Sequence, residues 1–80
     1  MSNDDKRGKL LSELRKGKNL TQRDLGDLIG YTDKNISKWE RGISFPNNPN
    51  IINKLAEIFE ISVEELMYGE LRGKANETEI

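Results

Sequence analysis

Apolar residues recur along this chain at intervals of three and four, the spacing of one helix face. No stretch keeps the strict alternation of a half-buried strand. Leu10, Leu11 and Leu14 predict a first helix over about 6–17, ending near Gly17. Leu25, Leu28 and Ile29 predict a second over about 22–29, stopped by Gly30. Ile36 and Trp39 predict a third over about 33–41, stopped by Gly42. Ile51, Ile52, Leu55, Ala56 and Phe59 give a fourth over about 50–60, and Val63, Leu66 and Met67 a short fifth. The expected fold class is all-α, a compact domain of five helices.

The polar positions agree with these boundaries. Thr21, Thr32 and Ser62 each stand where an N-cap hydroxyl accepts from a free backbone N–H of the first turn. Ser62 with Glu65 spells a capping box, and Thr21 with Asp24 a shorter version of one. Leu20 with Leu25, Tyr31 with Ile36 and Ile61 with Leu66 are spaced as hydrophobic staples over the three caps. Pro46 and Pro49 frame a polar loop, "SFPNNPN", between helices three and four. Only Gly30 and Tyr31 separate the second helix from Thr32. So short a connection, opened by a glycine, bends the chain into a helix-turn-helix. Residues 1–5 read as a flexible N-terminus, 6–69 as the folded domain, and 70–80, in "GELRGKANETEI", as a disordered tail.

Composition removes whole classes of function. The 80 residues contain neither cysteine nor histidine, which excludes disulfides and most zinc and general-base chemistry. No apolar run approaches the roughly 18 residues of a membrane span, and "MSNDDKRGKL" lacks the apolar segment of a signal peptide. A cytoplasmic protein with no membrane, metal or cofactor partner is expected. Enzyme chemistry has little to work with. Glu64 and Glu65 are neighbours on one helix rather than partners across a substrate, and no glycine-rich phosphate loop is present.

The formal net charge of −1 conceals an asymmetry. Residues 6–54 hold 11 Lys and Arg against 5 Asp and Glu, whereas residues 55–80 hold 2 against 7. A basic segment followed by an acidic one fits a polyanion-binding face, and equally an uneven spread over solvated helices.

The third helix bears on this choice. At 100° per residue Ile36, Trp39 and the following Ile43 share one side, while Lys34, Lys38 and Arg41 fall opposite, with Ser37 at the edge. Asp33 and Arg41 suit the helix dipole whether or not a ligand is present. Lys34 and Lys38 form an i,i+4 like-charge pair that disfavours an isolated helix, which points to an anion partner. A helix fits the major groove of B-DNA, where Lys donates to guanine O6/N7, Asn pairs with adenine and Asp accepts from cytosine N4. Trp39 belongs to the core, with its indole N–H near the rim.

The stretch "LTQRDLGDLIGYTDKNISKWERG", continued by "LAEIFEISVEELMYGE", resembles the Cro/C1-type helix-turn-helix domain of bacterial and phage regulators, the lambda-repressor-like or XRE family. The resemblance covers about residues 9–70 and implies a sequence-specific regulator of transcription, as a repressor, that binds double-stranded DNA as a homodimer. It implies base reading by Asp33, Lys34, Asn35 and Lys38. It implies phosphate contacts by Gln22, Arg23, Thr32, Arg41, Ser44 and Asn47, with Gln22 also bracing a base-reading side chain. Glu40 matches an acidic position that pairs with an arginine of helix one, and Arg15 stands there, so Arg15, Glu40 and Trp39 are assigned to architecture. Two positions depart from the family. Gly26 stands for the usual alanine, at an expected cost of roughly 0.5–1 kcal/mol of helix stability. Asp33 stands where a glutamine is usual. The alternative function is a protein-interaction module, an antitoxin or adaptor on the same fold, for which the acidic "VEELMYGELRG" offers a surface. A small autonomous regulator and an excised domain are both compatible with this length.

Overall fold

In the computed structural model, which describes residues 3–72, five helices follow one another in the order α1 Asn3–Gly17, α2 Gln22–Ile29, α3 Asp33–Glu40, α4 Pro49–Phe59 and α5 Val63–Tyr68. No strand occurs among the described residues. Every expected helix is present, and the differences lie at the ends. α1 starts at Asn3, not 6, so the segment expected to be flexible over 1–5 is helical from that residue onward. Asp4 and Asp5 lie in its first turn, where negative charge meets the positive end of the helix dipole. α4 starts on Pro49, a residue suited to N1 because its missing N–H has no helical partner there. The Asn48 side chain caps it by accepting from the Asn50 N–H. Of the tail expected over 70–80, residues 73–80 lie outside the described residues.

The caps carry much of the local definition. Thr21 and Ser62 form the expected capping boxes with Asp24 and Glu65. A third box, not read from the sequence, joins Thr32 to Asn35 at the start of α3.

Leu11, Leu25, Ile36, Leu55 and Leu66, one from each helix, are fully buried and meet in a single core with Ile29, Trp39, Ile52 and Phe59. Leu20, Tyr31 and Ile61, the outer halves of the three staples, pack against that core. α2 packs on α3, α1 lies across α3 and α5, and α4 closes the bundle against α5 and α2. Three apolar positions assigned to helix faces are solvated instead, Val63 among them. Leu28 is 47% exposed, and Ile43 is 59% exposed rather than continuing the Ile36–Trp39 side. α3 stops at Glu40, and Gly42 at φ 78° turns the chain before Ile43 can complete another turn.

Gly26 corrects a second expectation. A Cβ built there would stand 2.5 Å from the backbone carbonyl oxygen of Tyr31, well inside any real carbon–oxygen contact. The glycine is the condition on which α2 meets the turn, so alanine is not the better residue in this chain.

Candidate nucleic-acid interface

The turn between α2 and α3 is built around one carbonyl. The Gly26 oxygen accepts from the N–H of Gly30, which takes the left-handed conformation at φ 82°, and from the N–H of Tyr31 at 2.8 Å. The chain then extends through Thr32 and enters α3 within two residues.

α3 is seated from below by Ile36 and Trp39, 0% and 4% exposed. The Trp39 ring is flanked by Tyr31, centroids 5.2 Å apart, and by Phe45, 6.4 Å apart, both tilted as aromatic pairs prefer. Phe45 is covered on another side by the Arg7 guanidinium, 5.6 Å from its centroid. At the far end α1 crosses so closely that a Cβ on Gly8 would collide with the carbonyl oxygens of Trp39 and Glu40. Backbone meets backbone there, which fixes the height of α3 in the domain.

Glu40 ties three helices at one carboxylate. Arg15 of α1 donates from Nε to Glu40 Oε2 at 2.6 Å and from Nη2 to Oε1 at 3.1 Å. Its Nη1 donates to the Leu20 carbonyl at 2.7 Å. Gln22, first residue of α2, donates from Nε2 to the same Glu40 Oε1 at 3.1 Å. The Arg15 side chain is 11% exposed and that of Glu40 7%, and the hydrogen bond to Glu40 raises the guanidinium pKa above its ordinary value. No buried side-chain nitrogen or oxygen among the described residues lacks a partner. The Arg15–Glu40 pairing and the buried Trp39 thus stand in the architecture of the domain. Gln22 stands partly with them: one amide N–H is committed to Glu40, leaving the other directed by that bond.

The opposite face of α3 is polar and open. Asp33, Lys34, Lys38 and Arg41 are exposed, and Asn35 and Ser37 are half-buried. No side-chain hydrogen bond or ion pair within the described residues engages Asp33, Lys34 or Lys38, whereas Arg41 Nε donates to the Ser37 carbonyl at 3.4 Å. Asn35 differs from its neighbours. Its Oδ1 accepts from the Thr32 hydroxyl at 2.8 Å and the Thr32 N–H at 3.3 Å, while the Thr32 Oγ1 accepts from the Asn35 N–H at 3.3 Å. Both residues, separately assigned to phosphate and base, are occupied with each other.

The remaining assigned residues are Arg23, Ser44 and Asn47, all exposed. Arg23 lines an open hollow of about 270 Å³ with Asp27, Tyr31, Thr32 and Asp33, on the α2 side of the start of α3. Ser44 and Asn47 are exposed in the loop after α3. Among the described residues no group of three or more His, Cys, Asp or Glu stands together as metal ligands, and no helix is long and apolar enough to cross a membrane.

This arrangement has a counterpart in known proteins. The pattern of a family described as a helix-turn-helix domain matches residues 8–72. The chain belongs to the helix-turn-helix DNA-binding domains of XRE type. Over 60 residues this helix-turn-helix domain is 38% identical to the HTH-type transcriptional activator BcrR of Enterococcus faecalis, an alignment covering 75% of the chain and 29% of that protein. The fold recurs in a crystal structure of CoII HppE in complex with substrate, with TM-score 0.72 and 20% identity over 81% of this chain and 36% of the other. At that identity the second likeness is one of fold alone.

Proposed function

We propose that this domain regulates transcription by binding double-stranded DNA in a sequence-specific manner, with α3 lying in the major groove. One observation carries the reading: the helix that Ile36, Trp39, Gly8 and Glu40 fix in place turns outward an exposed row of Lys34, Lys38 and Arg41 that pairs with no carboxylate among the described residues. A rigid helix with long donors on its free side suits a groove lined by base acceptors and flanked by phosphates.

In this reading Asp33, Lys34 and Lys38 face base edges. Arg23, Arg41, Ser44, Asn47 and the free N–H of Gln22 hold phosphates on either side. Two copies bind half-sites about one helical turn, roughly 34 Å, apart. The protein acts in the cytoplasm and is not an enzyme. Repression needs only that the domain occupy promoter DNA, so repression is the sign we attach to it. The relative named as an activator contains an aligned region of only 29% of its length.

The test is binding to fluorescent duplexes across a salt series, first with random sequence and then with a site selected from a random library. Log K is expected to fall steeply and linearly with log salt on both. Lys34→Ala and Lys38→Ala should weaken the selected site more than the random duplex. A protein that retains no random duplex even at low salt is a protein-interaction module instead, and the DNA reading fails.

A further inference from the structure

The capping box at the start of α3 separates residues that the helical pattern groups together. Bidentate reading of adenine by asparagine needs its carbonyl oxygen free to accept from N6–H while its amide donates to N7. In Asn35 that oxygen already accepts two hydrogen bonds, from the Thr32 hydroxyl and the Thr32 N–H. An amide rotated the other way would turn two donors toward the Thr32 N–H, so the orientation is fixed by chemistry. Position agrees. At 100° per residue Asn35 lies only about 40° around the helix from buried Trp39, whereas Lys34 lies about 140° from it. Asn35 is half-buried and Lys34 exposed.

Removing Asn35 from the reading set leaves an acceptor and two donors. The Asp33 carboxylate only accepts. Opposite adenine it would face the N7 lone pair of the same base beside N6–H, whereas cytosine has no acceptor of its own beside N4–H in the major groove, the adjacent O6 belonging to its paired guanine. Lys34 and Lys38 only donate, and guanine offers O6 and N7 together where thymine offers one oxygen and a methyl group.

Resting on the DNA-binding function proposed above, we infer that α3 reads a G·C-rich half-site: Asp33 takes a cytosine amino group, Lys34 and Lys38 take guanines, and Asn35 is a cap that reads no adenine. Asp33 thereby becomes the residue that sets the first base pair.

Selection from a random-centre duplex library, run in parallel for the unaltered protein, Asp33→Asn and Asn35→Asp, tests this. Asn35→Asp keeps the oxygen that caps Thr32 and removes the amide donor. Asn35→Glu, the usual capping-box residue, serves as a second variant if the first fails to fold by circular dichroism. The unaltered protein is expected to enrich G·C pairs under α3. Asn35→Asp should enrich the same bases at every position with weaker overall retention from the added charge. Asp33→Asn supplies the acceptor–donor pair that adenine matches, so one cytosine position should become adenine, with about a tenfold or larger loss on the original site. An adenine position that disappears with Asn35→Asp, or a first base pair unmoved by Asp33→Asn, overturns the assignment while leaving DNA binding intact. Retention of no duplex at low salt by the unaltered protein overturns both.

Discussion

Arg15 and Glu40, 25 positions apart, form a two-pronged pair at 2.6 and 3.1 Å that spans the gap between α1 and the end of α3. Gln22 and the Leu20 carbonyl complete its hydrogen bonds, so the pair is both desolvated and satisfied. Its loss from one side is therefore far worse than its absence. Glu40→Gln leaves the guanidinium buried without its counter-charge and should cost about 3–5 kcal/mol. For a domain of this size that lowers the melting temperature by about 12–40 °C. The double variant Arg15→Met/Glu40→Leu, which removes both charges, should recover most of the loss. Thermal and urea unfolding of the two single variants and the double form the cycle. A single-variant cost below about 1 kcal/mol, the range of exposed pairs, contradicts the architectural role.

Gly26 gives a prediction whose sign opposes helix propensity. In an open helix interior Gly→Ala gains roughly 0.5–1 kcal/mol. Here the new methyl would meet the Tyr31 carbonyl, and that carbonyl belongs to backbone that the turn holds in place. Gly26→Ala should destabilise by about 1–3 kcal/mol, the usual cost of overpacking. Urea denaturation reads the result directly, since the midpoint falls if the steric term dominates and rises if propensity does.

These two sites show what the sequence made legible. Helix existence was plain because Leu11, Leu25, Ile36, Leu55 and Leu66 each belong to a local set of apolar residues at helical spacing, and each reaches the centre. The caps at Thr21, Thr32 and Ser62 were equally local, each needing only a hydroxyl and its own first turn. Arg15 with Glu40 came through family resemblance, because no local rule links residues that far apart. The rest depended on how the backbone closes. Nothing in the letters says that Gly8 and Gly26 stand against carbonyls, or that α3 ends one residue before Arg41 and leaves Ile43 in water. The third capping box was missed because asparagine at N3 is outside the Glu/Gln pattern of the motif. Thr followed three residues later by a short acceptor side chain is the signal that finds it, and Thr21 with Asp24 had already shown that form.

The α2 cap also sets an acid limit on stability. Asp24 Oδ2 accepts from the Thr21 N–H at 2.9 Å, and the Thr21 hydroxyl oxygen accepts from the Asp24 N–H at 2.9 Å. The backbone hydrogen bond first, and the Thr21 side chain second, hold the Asp24 carboxyl below its ordinary range. A depressed folded pKa contributes stability that is complete above the unfolded value of about 3.9 and is lost as pH falls through the lower folded value. Asp24→Asn keeps a capping oxygen and discards the charge. Its melting temperature should lie below that of the unaltered protein near neutrality, and the gap should close as pH falls below about 4. A gap constant down to that pH would assign the effect to something other than the charge.

Arg41 and Lys38 lie on the same open face but are expected to differ in what they measure. Arg41 sits past the last turn of α3 as its C-cap, its Nε donating to the Ser37 carbonyl. Lys38 lies within the last turn of α3 and is exposed on the outward face. A phosphate contact is blind to sequence and releases counterions, whereas a base contact discriminates among sequences. Arg41→Ala should therefore weaken selected and random duplexes by similar factors and reduce the slope of log K against log salt by about 1. Lys38→Ala should weaken the selected duplex by the cost of a lost base contact, about 1–3 kcal/mol, with a smaller effect on random duplex. Titrations of both variants at four or more salt concentrations separate the roles. If Arg41→Ala relaxes sequence preference while Lys38→Ala lowers both affinities equally, the two assignments must be exchanged and α3 rotated about its axis in the groove.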